Sequence, residues 1–171
     1  SDDMSPEINP SSRREFLAGA ARVSALAGIA LPPVHAAENN TVPIALVGCG
    51  GRGTGAAENA LSVPNGPTKL VAMADVVPKK MSDSYDRLKS KFASQVDVPP
   101  ERRFLGYNAF EQAMDALKPG GIVILGTPPA FRWVHFRRAI DKGLHTFMEK
   151  PISVDGPTTR KMLALGQEAD K

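Results

Sequence analysis

The stretch from Thr41 to Asp75 constrains this chain most, and it reads TVPIALVGCGGRGTGAAENALSVPNGPTKLVAMAD. Val42 to Val47 is a short apolar run broken only by Pro43, the pattern of a strand buried on both faces of a parallel sheet. Gly48, Gly50 and Gly53 follow with the spacing G-x-G-x-x-G. The alanine-rich segment Thr54 to Leu61 predicts a helix, and Pro64-Asn65-Gly66-Pro67 ends it. A second apolar run, Leu70 to Ala74, delivers an acid, Asp75, about 20 residues beyond the glycines.

Each part has a physical reason. Gly48 allows a tight turn out of the strand. At Gly50 the missing side chain lets a pyrophosphate approach the backbone. Gly53 lets the helix pack close to the strand, and the free N–H groups and dipole at the helix start attract phosphate. A carboxylate at the end of the second strand accepts the hydroxyls of an adenosine ribose and repels a 2′-phosphate. The stretch therefore predicts a dinucleotide site, with Asp75 favouring NAD over NADP. A methyltransferase turn would usually carry an acid two residues before its first glycine, where this chain has Leu46. An FAD site tends to carry Glu in place of Asp75.

The 171 residues allow one well-buried domain with an appendage, and 42% apolar with 23% charged residues is ordinary for a globular protein. A net charge of +3, spread along the chain, makes no case for a nucleic-acid surface. The single cysteine, Cys49, excludes an intramolecular disulfide and suits a small buried filler. The three histidines, His35, His135 and His145, have no metal-ligand spacing.

Ahead of this domain lies a different kind of segment. Ser1 to Ser11 is polar and proline-dotted, and reads as disordered. Ser12-Arg13-Arg14-Glu15-Phe16-Leu17 resembles a twin-arginine export signal. An alanine-rich stretch runs to Leu31, and Val34 and Ala36 suit cleavage after Ala36. Arg22 makes the run a poor membrane span; an amphipathic surface helix is the other reading. Residues 1–36 are thus expected to be a leader, residues 37–171 the nucleotide-binding domain, the twin-arginine translocase a partner, and the destination the periplasm or another exported location.

After Asp75, Pro78 opens a helix whose Met81, Tyr85, Leu88 and Phe92 form a core-facing stripe. Lys79, Lys80, Arg87, Lys89 and Lys91 read as its solvated face, with Lys79 and Lys80 near enough to Asp75 to bear on NADP exclusion. Val96 to Arg102 reads as loop and Arg103 to Leu105 as a short strand. Asn108 and Glu111 suggest a capping box for a helix stopped by Pro119-Gly120. Gly121 to Leu125 is another buried strand, ending in Gly126-Thr127-Pro128-Pro129, a loop expected to border the cofactor. Ala130 to Lys142 reads as a helix, His145 to Met148 as a strand, and Asp155 with Pro157 as the start of a last helix. This alternation predicts a doubly wound parallel α/β sheet of Rossmann type.

Three features together resemble the glucose–fructose oxidoreductase, inositol dehydrogenase and MocA family: the Gly48-Cys49-Gly50-Gly51-Arg52-Gly53 turn, the Gly126-Thr127-Pro128 loop, and Glu149-Lys150-Pro151 after Gly143. The resemblance covers roughly residues 41–171 and implies a nicotinamide cofactor with a sugar, cyclitol or related polyol substrate. It places Gly48, Gly50, Gly51, Arg52, Gly53, Asp75, Thr127, Pro128, Glu149 and Lys150 at the cofactor. It also implies that Lys150 points at the reacting carbinol and that the bond before Pro151 is cis. A compact ammonium suits that task, because it can hydrogen-bond the hydroxyl oxygen and stabilise the negative charge it carries once its proton is lost, as hydride leaves. The other reading of Lys150 is a surface lysine ending a strand.

Two departures from the family pattern stand out. The place where many members carry a histidine after Thr-Pro falls here on Arg132, so His135 reads as a helix-surface or partly buried residue. Trp133 reads equally as a wall of the cofactor pocket or as packing. The family also implies a second, mostly antiparallel α+β domain beyond Lys171, which would supply substrate contacts, a proton-transfer group and an oligomer interface. The expected function is an exported NAD-dependent oxidoreductase acting on a carbohydrate-like secondary alcohol. The alternatives are an NAD-dependent glycosidase that oxidises its sugar transiently and a non-catalytic NAD-binding module.

Overall fold

A computed structural model of the chain describes residues 40–171, and the leader read over residues 1–36 lies outside the described residues. In chain order the elements are β1 (Val42–Val47), α1 (Gly51–Leu61), β2 (Thr68–Asp75), α2 (Pro78–Lys91), β3 (Arg103–Leu105), α3 (Ala109–Asp115), β4 (Ile122–Leu125), α4 (Pro129–Asp141), β5 (His145–Met148) and α5 (Gly156–Ala169), with a 3-10 turn at Pro100–Arg102. The strands form one sheet in the order β3-β2-β1-β4-β5, and every pairing is parallel.

The apolar runs are continuous because the sheet is covered on both faces. Along β1, Ile44 and Leu46 pack with Ala57 and Leu61 of α1 and with Met81 and Leu88 of α2. The alternate residues, Ala45 and Val47, pack with Ala109, Phe110, Ala113 and Met114 of α3 and Ala139 of α4. Fully burying side chains such as Ile44, Leu46 and Met73 stabilises the fold by about 1.5–3 kcal/mol each. Pro43 sits at the start of β1, just ahead of a register shift between Ile44 and Ala45 against β2, where a missing ladder donor is tolerated.

Chain progression runs outward from β1 through β2 to β3, and outward on the other side from β4 to β5. The reversal between β1 and β4 opens a crevice at the carboxyl ends of these strands, where ligands of such sheets bind.

Several local expectations are corrected. Helix α1 starts at Gly51 rather than Thr54, since the Thr54 N–H already donates to the Gly50 carbonyl at 2.9 Å. Asn108 does occupy the N-cap of α3, but its side chain makes no capping bond, and the helix stops at Asp115, well before Pro119. The chain tightens there instead, with the Leu117 N–H donating to Met114 three residues back. Lys79, Lys80, Arg87 and Lys91 of α2 do lie on its solvated face, where three of them also make ion pairs. Arg87 and Lys91 both pair with Glu58 of α1, and Lys79 pairs with Asp83. Lys89 donates to the carbonyls of Ala93 and Val96, tying down the segment that follows the helix. No helix among the described residues is long and apolar enough to cross a membrane.

Candidate functional site

The glycine turn is built by close backbone approach. Gly48 has φ +93°, and a Cβ there would stand 2.6 Å from the Thr127 nitrogen. A Cβ on Gly53 would run into the Gly48 carbonyl oxygen, and one on Gly126 would lie 2.6 Å from Gly53 Cα. Gly48, Gly53 and Gly126 are therefore one packing unit that locks the turn after β1 to the loop after β4. Gly50 and Gly51 differ: no atom lies within 4 Å of a Cβ on either. Gly50 is the N-cap of α1, so the first-turn N–H groups of that helix are presented beside open space.

Asp75 is held in place by the same turn. One of its carboxylate oxygens accepts from the Cys49 N–H at 2.6 Å and the other from the Val77 N–H at 2.8 Å. Each oxygen keeps a further lone pair for a ligand hydroxyl. Cys49 itself is buried, and burial with the nearby Asp75 charge pushes its thiol well above the usual range. It is the inert filler its neighbours suggested.

A cavity of about 390 Å³ lies over the β1–β4 crevice, within the size range of small-molecule sites. Its lining includes Gly48, Gly50, Arg52, Asp75, Thr127, Pro128, Glu149 and Lys150. Eight of the predicted site residues thus border one cavity, while Gly51 and Gly53 are not in its lining. The Lys150–Pro151 peptide is cis. Arg52, at the start of α1, reaches Glu149 after β5, with its Nη2 2.8 and 2.9 Å from the two carboxylate oxygens. Arg52, aided by Arg132, holds the Glu149 carboxyl below the usual carboxylate range.

The cavity also has lining that sequence reasoning did not assign to it. His135 is 8% exposed, bonds Thr127 Oγ1 through Nδ1 at 3.1 Å, and lies against the Phe110 ring at 4.3 Å between centroids. Burial, with the Arg132 charge adding to it, lowers its pKa from 6.5 to about 4. It is a neutral, buried cavity group rather than a helix-surface residue. Arg132 and Lys80 also line the cavity. Trp133 does not; its ring lies under the Lys161 ammonium of α5 at 4.2 Å. The available signal was the helical spacing of Arg132 and His135, which places both on one face of α4.

No family model matches the sequence, and no curated protein matches it either. Solved structures do match. Among them is myo-inositol 2-dehydrogenase from Lactobacillus plantarum, at 19% identity and TM-score 0.56, covering 75% of this chain and 34% of that one. The fold is Rossmann-like. Scyllo-inositol dehydrogenase from Lactobacillus casei gives 24% identity and TM-score 0.54 over 77% of this chain and 34% of that one. The 3-ketoreductase KijD10 from Actinomadura kijaniata, solved with NADP, gives 24% and 0.51 over 76% and 36%. The chain spans about a third of the length of these neighbours.

Proposed function

We propose that this chain is the NAD-binding part of an oxidoreductase that moves hydride between the cofactor and a secondary alcohol of a sugar, cyclitol or related polyol. One observation carries the reading: Lys150 lines the same cavity as Gly48, Gly50, Asp75 and Thr127. The residues present fit a dinucleotide. Open space at Gly50, the free N–H groups of α1 and the Asp75 carboxylate suit the diphosphate and the adenosine ribose in turn. When bound, NAD would supply the hydride acceptor.

The protein's own residues supply orientation and charge. Thr127 and Pro128 border the cleft beside β4, the half of the crevice away from Asp75. The Lys150 ammonium donates a hydrogen bond to the carbinol oxygen and stabilises the alkoxide formed when a general base of the whole protein takes the hydroxyl proton. Hydride then leaves the attached carbon and a ketone remains. Support for a polyol comes from the Glu149-Lys150-Pro151 element and from the inositol dehydrogenases among the structural neighbours.

The experiment is steady-state turnover of the whole protein on a polyol panel. Lys150→Ala should cut kcat by about a hundredfold or more while NAD affinity barely changes. Lys150→Arg should also be poor, since a planar fork does not replace a compact ammonium at one oxygen. Near-parental turnover in Lys150→Ala removes the lysine from the mechanism. Export through the twin-arginine route belongs to the same proposal and is supported by Arg13-Arg14 ahead of Phe16-Leu17. Replacing both arginines with lysine should trap precursor in the cytoplasm, and unchanged export would contradict it.

A further inference from the structure

Arg132 presents a guanidinium to the interior from the first turns of α4, and it is 4% exposed. Its Nε donates to the Thr127 carbonyl at 2.9 Å and its Nη1 to the Pro151 carbonyl at 2.7 Å. Burial lowers its pKa, and the Glu149 charge offsets this in part. Among the described residues no carboxylate lies within ion-pair distance of it.

A buried guanidinium is a costly way to fill space. Desolvation opposes it, and an apolar side chain of similar volume would pack at least as well. What an apolar residue cannot do is bind two carbonyls from two segments. Those segments are the loop after β4 and the stretch after β5, and both line the cavity. β4 and β5 leave the sheet side by side, with Leu125 opposite Met148. Past that point one backbone bond joins them, from the Glu149 N–H to the Leu125 carbonyl at 3.3 Å. Among the described residues, Arg132 alone has a side chain bonded to both segments. Its planar fork sets two donors at a fixed spacing, which a lysine does not reproduce.

We propose that Arg132 is a positioning residue: by fixing the Pro151 carbonyl against the Thr127 carbonyl, it sets Lys150 over the cofactor cleft. This rests on the reading that Lys150 works beside the nicotinamide. Arg132 also lines the cavity, but in this role it acts through the two loops it joins.

The test is NMR of this chain with its lysines ¹³C-methylated, the Lys150 signal being assigned from Lys150→Arg. In the parent, saturating NAD should shift the Lys150 signal well beyond that of exposed Lys118. In Arg132→Met, at an NAD concentration that saturates the variant, the Lys150 shift should fall to the Lys118 level. Arg132→Lys should behave like Arg132→Met, because charge without the fork does not hold both carbonyls. A full Lys150 response in either variant overturns the proposal. A parent Lys150 signal indifferent to NAD instead overturns the reading of Lys150 itself, and this proposal with it. Failure of both variants to fold makes Arg132 a stability residue and likewise overturns the positioning role.

Discussion

Arg52 and Glu149 lie 97 residues apart in sequence and meet over the end of β4, with Arg52 Nη2 2.8 Å from one Glu149 oxygen and 2.9 Å from the other. The two side chains are unequal partners, Arg52 being 76% exposed and Glu149 12%. Arg52 stands in the first turn of α1, beside the N–H groups that would meet a diphosphate, so its charge is shared between Glu149 and an incoming anion. Arg52→Ala should weaken NAD binding about fivefold, roughly 1 kcal/mol. Glu149→Gln should leave it unchanged or tighten it, because it frees the guanidinium and removes a nearby negative charge. Calorimetric titration of both variants checks the sign of each effect.

His135 gives the fold a specific pH dependence. Its pKa of about 4 in the folded chain lies below the ordinary 6.5, so the unfolded chain takes up the proton first. Stability should therefore fall as pH drops through 6.5, and keep falling to about 4, by roughly 3 kcal/mol over the whole span. Arg132 and Thr127 are the polar groups facing the ring. The carboxylates paired with arginine or lysine, Glu58, Asp115, Glu149 and Glu168, have lowered pKa values, and their contributions are lost as pH falls from the ordinary carboxylate range toward those lowered values. Denaturant titrations between pH 5 and 7 should show the slope in the parent and a flatter profile in His135→Gln.

Asp75 anchors the turn and, on the proposed reading, sets the cofactor choice. NAD should bind at least roughly tenfold tighter than NADP, about 1.4 kcal/mol, with Lys79 committed to Asp83 and Lys80 the lysine of that pair that lines the cavity. Asp75→Ser should narrow the preference and also lower stability by about 1–3 kcal/mol, because the Cys49 and Val77 N–H groups lose their acceptor. Equal affinities in the parent would show that Lys80 outweighs the acid.

Much of the fold was legible because burial on both faces leaves an unmistakable mark. The runs of β1, β2 and β4 are apolar without alternation, and the glycines between β1 and α1 are demanded by backbone contact. Lys150 entered through the resemblance of Glu149-Lys150-Pro151 and lines the cavity. The interior of α4 was not legible. Arg132 and His135 are residue types usually found at surfaces, and nothing local to them reveals a pair of carbonyls or a Thr127 hydroxyl waiting inside. The Arg52–Glu149 pair was hidden for another reason: its partners meet only once β1, β4 and β5 are laid side by side. Asn108 shows the opposite failure, a correct capping residue whose side chain makes no capping bond.

Gly126 marks where the loop after β4 touches the turn after β1. A Cβ there would stand 2.6 Å from Gly53 Cα and 2.8 Å from the Gly48 oxygen, and neither backbone atom can rotate away. Gly126→Ala should cost about 3 kcal/mol or more, which chemical denaturation of the variant measures.

The most direct measurement is NAD titration of this chain beside Gly50→Ala. At Gly50 a Cβ meets nothing within 4 Å, the backbone is extended, and the residue lines the cavity, so the variant should fold and melt as the parent does. Its new methyl group would stand where the diphosphate must approach. The parent should bind NAD saturably, with a dissociation constant below about 1 mM, and Gly50→Ala should lose at least tenfold. A parent that binds no NAD, or a Gly50→Ala variant that binds it equally well, would contradict the cleft as a dinucleotide site.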